Sequence, residues 1–496
     1  MTLVFVDIYG LADNLNFLTR VQFVPALLSL NVVALIFLFI LTLLFGRLYC
    51  SVICPLGITQ DIVAKVRKIF AGKKKRKIGL YGYKKPRSKT RNIVLGCFIL
   101  VLFLGALNVM AISLGAVIEP YSAFGRMVTA FVSPFYDMVN NAMADASANA
   151  GEYEYTVVHR SVSWILFLIA GVTALTIAVF AWRGGRDYCN TICPVGTFLG
   201  WISRVSLFKI RIDEGRCNSC GTCARKCKSS CIDSRNHTVD TSRCVECFDC
   251  LSVCRQNAIG FSVKPVTKEV SPTKNADSTR RMFIATLATL TGAAVAKSAG
   301  TIIEKTTDGG LTPLKKRAEA QRKVRMLPPG AISQAHINAH CVGCQLCIQA
   351  CPNGVLKMST DLDTLMQPVM SYETSYCYSE CSECSNVCPA GVFQPLDAVA
   401  KSSWKIGTAV VDLNTCLSAN GTDSCGNCAR HCPAGAIEMV ATDENNPEAP
   451  LIPVIKENIC IGCGACEHHC PVGTVASMQA DSPAIHVEGV SVQRYI

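Results

Sequence analysis

The sequence predicts a multidomain membrane protein, with all-α transmembrane helices followed by small, cysteine-rich α+β domains. Three observations support this fold class. Half of the 496 residues are hydrophobic and the mean hydropathy is +0.31, which indicates membrane-embedded segments. Thirty cysteines occur, most of them in closely spaced groups. Between residues 62 and 91 there are thirteen Lys or Arg and no acidic residue, more than the net charge of +12.

Three stretches are long enough to cross a bilayer at about 20 residues each, and none contains a charged residue. The basic loop 62–91 predicts that the chain between the first two spans is cytoplasmic. The acidic loop 119–160 is then expected outside. This order leaves the N-terminus outside, and the opening MTLVFVDIYG looks like the tail of a truncated helix. The predicted spans lie near 21–46, 92–118 and 161–182.

The membrane part, 1–204, contains an internal repeat. GRLYCSVICPLGI at 46–58 and GRDYCNTICPVGT at 185–197 share eight of thirteen residues, including both cysteines and the proline. Each copy directly follows a predicted span, and both fall on the cytoplasmic side. The membrane part is therefore predicted to consist of two related halves, each ending in Y-C-x3-C-P-x-G.

The domain predicted for 205–265 carries two sets of cysteines spaced C-x2-C-x2-C-x3-C, which is typical of bacterial ferredoxins. Three thiolates of a set bind one [4Fe–4S] cluster, and the fourth binds the neighbouring cluster. Lys228 and Arg255 replace the proline that usually follows the fourth cysteine. The predicted ligands are Cys217, Cys220, Cys223 and Cys254 for one cluster, and Cys244, Cys247, Cys250 and Cys227 for the other.

Four more sets, each followed by proline, lie in the domain predicted for 336–496. Two are regular, one has an extra residue in its first gap, and one has eight residues there. Six complete sets predict six [4Fe–4S] clusters and argue against zinc, which needs two separated pairs per site. A disulfide framework explains neither the spacing nor the prolines. The predicted ligands are Cys341, Cys344, Cys347, Cys351, Cys377, Cys381, Cys384, Cys388, Cys416, Cys425, Cys428, Cys432, Cys460, Cys463, Cys466 and Cys470.

The cysteines of the repeat have a less certain role. In each copy the two thiols are four residues apart at a helix end and share one face. Three uses stay open: an additional metal or cluster site, a redox-active thiol set, or structural thiols at a Pro-Gly turn. Of the two remaining cysteines, Cys97 is interpreted as an apolar filler within a span and Cys231 as a spare thiol. The repeat cysteines are Cys50, Cys54, Cys189 and Cys193.

The connection 266–335 is mostly polar, as in linkers, but it contains one unusual segment. Residues 278–300 are STRRMFIATLATLTGAAVAKSAG, in which two arginines precede a stretch of small and mildly apolar residues. This is the layout of a bacterial twin-arginine export signal. The segment is the predicted point at which the chain changes sides of the membrane. Whether 280–303 is cleaved or stays as a fourth span is left open.

These motifs resemble two known families of accessory proteins. The two Y-C-x3-C-P copies and the double-cluster domain are similar to NapH-type membrane ferredoxins, which are quinol-oxidising proteins of periplasmic nitrate reduction and related systems. The twin-arginine segment and the four sets behind it are similar to their partner, NapG. The chain looks like the two partners fused, with three visible spans where the family has four. The resemblance also implies a C-terminal pairing, in which Cys470 serves the first set, Cys432 the second, Cys388 the third and Cys351 the last.

The functional hypothesis is an electron-transfer protein of the bacterial inner membrane. Electrons from the quinone pool or a cytoplasmic donor pass through the cytoplasmic domain 205–265 to a periplasmic domain 336–496, and then to a periplasmic redox enzyme. The chain is then either a quinol dehydrogenase subunit or an electron carrier, and no catalytic residue is identified. The alternative is an assembly factor that uses the repeat cysteines to reduce a metal or thiols. Nucleic acid is excluded as a partner, because the positive charge is confined to one loop.

Overall fold

The computed structural model describes residues 1–6, 15–70, 81–149, 157, 160, 163–263, 319–421, 424–443, 446, 449–472 and 482–496. The twin-arginine-like segment and most of the connection around it lie outside the described residues. The described residues form a helical N-terminal half, a first cysteine-rich domain and a second, larger one.

Three helices frame the N-terminal half: Val32–Phe45, Ser88–Ala106 and Trp164–Gly184. The second and third are the two described helices that are long and apolar enough to cross a bilayer, and the first is apolar but only 14 residues long. Many of their large apolar side chains are exposed, such as Leu100 at 55% and Leu175 at 66%. Such surfaces are expected for helices that face lipid rather than water.

The first two predicted spans are wrong as single helices. The stretch 21–46 is divided into Phe23–Leu28 and Val32–Phe45, because Leu30 adopts a left-handed φ of 51° and breaks the helix. The side chain of Asn31 then caps the new helix by accepting a hydrogen bond from Ala34 N at 3.1 Å. In the stretch 92–118 the helix ends at Ala106, and the chain turns back.

The returning chain packs closely along the helix that it has just left. A Cβ at Gly115 would lie 2.5 Å from Val101 Cγ1, and one at Gly105 would lie 2.2 Å from Ile112 Cγ1. The two glycines therefore allow an approach that no larger residue permits. The returning residues form the helix Ile112–Gly115 and the 3-10 turn Ala116–Ile118.

The loop 119–160 was expected to lie outside the membrane, and its first part packs into the helical bundle. Glu119 caps the helix Pro120–Met127 by accepting hydrogen bonds from Tyr121 N at 3.1 Å and Ser122 N at 2.5 Å. This helix packs against Trp164–Gly184 and Pro55–Phe70. The charged side chains Glu119 and Arg126 are consequently buried. The chain continues through a π-helical turn, Val128–Val132, into the helix Ser133–Asn149.

Short helices complete the N-terminal half. Thr2–Val6 packs into the bundle, where the Phe5 ring lies 5.8 Å from that of Tyr121. In each copy of the repeat, a short helix and a turn lead into a helix that begins at the proline of the motif. The remaining helices are Phe17–Arg20, Leu48–Val52, Pro55–Phe70, Asp187–Thr191, Pro194–Ile202 and the 3-10 turn Ser203–Val205.

The first cysteine-rich domain has the α+β character that the spacing predicts. Lys209–Ile212 pairs antiparallel with Ile259–Ser262, so that Lys209 lies opposite Ser262. Between these strands, Ile232–Asp233 pairs with Thr238–Val239. The helix Thr222–Lys226 contains Cys223, and the 3-10 turn Leu251–Val253 lies between Cys250 and Cys254.

The second cysteine-rich domain begins before residue 336, so the predicted end of the linker is wrong. Met326 is buried, its carbonyl accepts from Met370 N at 3.1 Å, and Arg322 pairs with the buried Glu467. Its antiparallel strand pairs are Leu356–Met358 with Pro368–Met370, Ile437–Ala441 with Leu451–Ile455, and Trp404–Val411 with Ile485–Tyr495. Its helices are Gln334–His340, Leu346–Gln349, Glu383–Asn386, Ala398–Ser402, Asn427–Arg430 and Ala465–His468, with a 3-10 turn at Leu362–Thr364.

Candidate metal centres

A recurrent local structure positions the third cysteine of most sets. A residue with left-handed backbone immediately precedes a helix of four or five residues, and that helix carries the cysteine. The left-handed residue reverses the chain, so that thiols before and after it turn toward the same space. The left-handed residues are Gly221 (φ 71°), Gln345 (φ 70°), Gly426 (φ 65°) and Gly464 (φ 82°).

In the first cysteine-rich domain, each set gathers three of its own thiols and the fourth thiol of the other set. Burial raises the pKa of the Cys250 thiol, and the charges of Cys244, Cys247 and Cys227 raise it further. Burial likewise raises the pKa of Cys223, and its thiol neighbours are Cys217, Cys220 and Cys254. These are the two groups of four that the spacing predicts.

In the second cysteine-rich domain, the structure contradicts the pairing that the family resemblance implies. Cys388, rather than Cys470, accompanies the first set: it lines a cavity together with Cys341, Cys344 and Cys347. Cys470, rather than Cys388, lines another cavity with the third set. The third set consists of Cys416, Cys425 and Cys428.

The fourth ligands of the second and fourth sets also differ from those that the resemblance implies. Burial raises the pKa of Cys384, and Cys377, Cys351 and Cys381 are its thiol neighbours. For Cys466, the pKa is again raised by burial, with Cys463, Cys460 and Cys432 as thiol neighbours. Consecutive sets therefore share ligands, first with second and third with fourth. The domain consists of two double-cluster units in sequence order, not of an outer and an inner pair.

The residues around these sets fit an anionic cofactor. Lys401 is fully buried, and its ammonium group has no hydrogen-bond partner among the described residues. It interacts electrostatically with Cys377 and Cys384 of the second set and with Cys463 of the fourth. A buried and unpaired ammonium is costly in an apolar interior unless negative charge lies beside it. Thiolate-bound iron–sulfur clusters supply that charge.

The sets of the second domain form a row. Cys347 of the first set neighbours Cys384 of the second. The second set contacts the fourth, since Cys377 N donates to Cys463 O at 2.9 Å. The fourth set exchanges a cysteine with the third, as described above. The order in space is therefore first, second, fourth and third.

The two leftover cysteines differ in environment. Cys231, interpreted as a spare thiol, is buried, with its sulfur 3.5 Å from that of Cys227 and interacting with Cys244. It thus lies between two members of one ligand group. Cys97, interpreted as an apolar filler, is exposed on the outer face of Ser88–Ala106 and contributes to no site.

The structure brings the four repeat cysteines together in the helical half, and all four are buried. Their closest charged neighbours, Arg47 and Arg186, were not singled out by the sequence reasoning, although each stands second in its copy of the repeat. Sequence reasoning also missed Lys401, Glu119 and Arg126. A charge at an otherwise buried position has no local pattern, because its partner lies far away in the chain.

Comparisons with known proteins agree with the cysteine geometry. A family model described as a 4Fe-4S binding domain matches residues 29–78, 164–213 and 384–408. A second model, described as a 4Fe-4S dicluster domain, matches 340–392 and 423–474. The dicluster matches correspond to the two double-cluster units of the second domain. They support the pairing of consecutive sets.

Three curated relatives extend this picture. The chain is similar to the ferredoxin-type protein NapG of Escherichia coli, with 32% identity over 149 residues, 28% of this chain and 63% of that protein. It is similar to the methylamine utilization ferredoxin-type protein MauM of Paracoccus denitrificans, with 33% identity over 141 residues, 27% of this chain and 62% of that protein. The ferredoxin-type protein NapH of Haemophilus influenzae matches at 28% identity over 204 residues, 41% of this chain and 54% of that protein.

The chain thus spans less than two thirds of the length of each of these relatives. The relatives include both kinds of protein that the sequence motifs resemble. Together with the 4Fe-4S models, they indicate ferredoxin-type [4Fe–4S]-binding domains in this chain.

The pairing of consecutive sets is tested by the substitution Cys388→Ser. It removes the fourth ligand from the first set, so Cys341, Cys344 and Cys347 should react with an alkylating reagent under native, anaerobic conditions in the presence of a chelator. The third set should stay protected. Mass spectrometry of the labelled peptides reads the result. The matched control, Cys470→Ser, should give the opposite pattern, and labelling of the third set by Cys388→Ser would restore the pairing that the resemblance implies.

Proposed function

We propose that the protein is an inner-membrane electron carrier with six [4Fe–4S] clusters, which connects quinol or a cytoplasmic donor to a redox enzyme in the periplasm. The supporting observation is that the two cysteine-rich domains pack at opposite ends of the same two long helices, Ser88–Ala106 and Trp164–Gly184. When bound, each cluster takes up and releases one electron at a time. The protein's own part is to hold the thiol sets in a continuous row from one side to the other.

Contacts with the first cysteine-rich domain all lie at one end of the helices. Leu207 N donates to Leu43 O at 2.8 Å, near the end of Val32–Phe45. Arg91, near the start of Ser88–Ala106, donates to Ser242 O at 3.1 Å. Just beyond the end of Trp164–Gly184, Arg186 N donates to Lys228 O of this domain at 2.9 Å. The three helices therefore alternate in direction, as successive spans of a membrane protein do.

Contacts with the second domain lie at the opposite end. Ser113, beyond the end of Ser88–Ala106, donates to Leu365 O at 2.8 Å. Ser163 and Leu166, at the start of Trp164–Gly184, line one cavity with Gln345. The contacts of the two domains thus lie at opposite ends of Ser88–Ala106 and Trp164–Gly184, so a bilayer around these helices would separate the two domains.

The position of the basic residues supports a cytoplasmic location for the first cysteine-rich domain. At the first domain's end, Tyr81 N donates to Arg225 O at 3.2 Å and Lys84 N to Ser230 O at 3.1 Å, so the described last part of the basic loop, from residue 81, lies on that domain. Lys- and Arg-rich loops stay in the cytoplasm. The first domain is then cytoplasmic and the second periplasmic, with the twin-arginine-like segment between them in sequence.

Packing is continuous from one domain to the other. One apolar cluster contains Val245 and Cys247 of the first domain, the repeat cysteines Cys50 and Cys193, and Cys344 of the second domain. Buried, closely packed side chains of this kind keep water out of the route and fix the separation of the thiol sets. The relatives named as ferredoxin-type proteins support electron transfer as the purpose of this arrangement.

Topology mapping tests the proposal. Reporters fused after residue 265 and after residue 330 should show cytoplasmic and periplasmic locations respectively, read as fluorescence of a cytoplasm-active reporter and activity of a periplasm-active phosphatase. Both reporters in the cytoplasm would contradict a transmembrane path. In membrane vesicles, quinol-dependent bleaching of the cluster absorbance separates electron transfer from the assembly hypothesis, which predicts instead that a partner enzyme lacks its metal when the repeat cysteines are replaced.

A further inference from the structure

The two copies of the repeat converge on one buried space. In each copy the first cysteine lies on a short helix, Leu48–Val52 or Asp187–Thr191, and the second precedes the proline that opens the next helix. All four sulfur-bearing side chains are at most 4% exposed. Cys193 interacts electrostatically with the other three, which places the thiols of both copies around a common centre. The four are Cys50, Cys54, Cys189 and Cys193.

Two buried arginines interlock the copies around this centre. Arg47 of the first copy donates to Cys189 O of the second at 3.2 Å, and Arg186 of the second copy donates to Cys50 O of the first. The glycine of each C-P-x-G turn makes room for these bonds. A Cβ at Gly57 would lie 2.3 Å from Cys50 O, and one at Gly196 would lie 2.4 Å from Cys189 O. The shared Gly, Arg, Cys and Pro positions of the repeat therefore build one site with approximate two-fold symmetry.

The two buried arginines of this site favour negative charge at the sulfurs. Arg186 has a carboxylate partner, since its Nη2 lies 2.9 Å from Asp61 Oδ2. Arg47 is equally buried, but no ion pair among the described residues includes it, and its Nε has no hydrogen-bond partner there. Its other contacts are neutral oxygens and the sulfur of Cys50, at 3.7 Å. The buried carboxyl group of Glu246 also interacts electrostatically with Arg47 without forming an ion pair, so negative charge at the sulfurs would further stabilise the buried guanidinium.

The repeat thiols share two features with the six cluster-binding sets. Among the described residues, no three His, Cys, Asp or Glu side chains lie close enough together to hold a single metal ion. The thiols of the six sets are likewise too far apart to hold a single ion. This is expected for a cubane, in which each thiolate binds a different iron atom. Backbone donors also point at sulfur in the same way. Gly196 N donates to Cys193 Sγ at 3.3 Å, as Ala436 N donates to Cys432 Sγ at 3.2 Å in the second domain.

We infer that Cys50, Cys54, Cys189 and Cys193 together hold a further [4Fe–4S] cluster, to which each copy of the repeat contributes two ligands. The 4Fe-4S binding model matches each copy separately, over 29–78 and 164–213, and each matched range contains only two cysteines. Half a ligand set cannot hold a cubane, so the two halves complete one another. Arg47, Arg186 and Gln60, whose Nε2 donates to Cys189 Sγ at 3.0 Å, are positioning residues for this cluster.

The site lies between the two cysteine-rich domains. Arg47 also donates to Ser242 O at 3.0 Å, two residues before the ligand Cys244 of the first domain. On the other side, Tyr188 interacts with Cys189 and Cys193 and donates to Ile118 O at 3.0 Å, at the end of the returning segment, whose Ser113 contacts the second domain. The inference does not depend on the direction of electron flow or on the orientation in the membrane, since it concerns only what the four thiols bind.

The test is the iron and acid-labile sulfide content of the full chain purified without oxygen. The double substitution Cys54→Ser/Cys193→Ser should lower both by about four atoms per chain and leave about 24 of each. The control, Cys97→Ser, changes a thiol on the exposed face of a helix and should lose neither. Unchanged iron in the double variant would overturn the inference, and so would the loss of one metal atom without sulfide.

A second measurement needs no variant and therefore does not depend on whether the double variant folds. Native mass spectrometry of the wild-type chain should give the mass of seven Fe4S4 units. A fully loaded wild-type chain that carries only six such units contradicts the inference, even if the double variant loses iron by misfolding. Failure of this experiment is distinct from failure of the topology test, because a chain confined to one side of the membrane would still carry the additional cluster.

Discussion

Replacing Gly462 by alanine is expected to destroy the second double-cluster unit, at a cost of about 3 kcal/mol or more. Gly462 lies between the ligands Cys460 and Cys463 and has a left-handed φ of 79°. A Cβ there would lie 2.4 Å from Gly407 N and 2.6 Å from Gly407 Cα. Both clashing atoms are backbone atoms of the strand Trp404–Val411, so no flexible side chain can move aside.

The neighbouring hydrogen bonds add to this cost. Ile406 N donates to Ile461 O at 2.9 Å, and the buried Tyr372 hydroxyl donates to Gly462 O at 2.7 Å. A backbone shift that relieves the clash must therefore lengthen these two hydrogen bonds, which are accepted by Ile461 O and Gly462 O. Since this segment also presents two thiols to the fourth set, the expected result is loss of the clusters of the third and fourth sets.

Gly435 provides the matched control. It follows the ligand Cys432 in another set, has a similarly left-handed φ of 62°, and a Cβ there would meet nothing within 4 Å. Gly435→Ala should therefore cost only the left-handed strain, about 1 kcal/mol. Acid-labile sulfide content and the thermal unfolding midpoint of the two variants give the comparison. Equal losses in both variants would show that backbone conformation, not the close approach to Gly407, makes Gly462 necessary.

Local spacing was sufficient to group the cysteines, and it was insufficient to pair the sets. A C-x2-C-x2-C-x3-C run turns three thiols toward one space because a left-handed residue and a short helix follow one another, as at Gly464 and Ala465–His468. The fourth thiol depends on which set lies alongside. The four runs of the second domain all end in C-x2-C-x3-C-P, so their spacing does not pair them. The pairing implied by the resemblance exchanged Cys388 and Cys470, which only the tertiary packing distinguishes.

Hydropathy located the apolar helices of the N-terminal half but not its internal turns. The stretches 21–46 and 92–118 contain no charged residue, so hydropathy cannot detect the break at Leu30 or the reversal after Ala106. Both depend on single left-handed residues. The charges of Glu119 and Arg126 were counted as belonging to an exterior loop, whereas the structure buries them in the bundle. A charged side chain that is satisfied by distant backbone looks the same in sequence as an exposed one.

Arg126→Met is expected to detach the second cysteine-rich domain from the helices. Arg126 is fully buried and donates to Ala116 O at 3.2 Å, Val117 O at 2.9 Å and Gly343 O at 3.4 Å. Gly343 stands between two ligands of the first set. Methionine keeps the bulk of the side chain but removes three hydrogen bonds and the positive charge that interacts with the buried carboxyl of Glu119, at a cost of about 3 kcal/mol.

The consequence for electron transfer follows from position. Arg126 interacts with both Glu119 and Tyr188, and Tyr188 in turn neighbours the repeat cysteines. It therefore joins the returning segment, the repeat and the first set of the second domain at one point. When this contact loosens, the separation between the thiol sets is no longer fixed, so reduction of the second domain by electrons from the first should slow.

Arg20→Met is the matched control for this interface. Arg20 also donates across it, to Asn386 O at 3.1 Å, but its side chain is exposed, and the change should stay within about 0.5 kcal/mol. Hydrogen–deuterium exchange of the peptides around 116 and 343 should rise in Arg126→Met and stay at the wild-type level in Arg20→Met. Anaerobic stopped-flow absorbance should show slower cluster reduction in the first variant alone. If both variants exchange alike, the docking rests on the apolar contacts around Cys344, and Arg126 does not hold the two halves together.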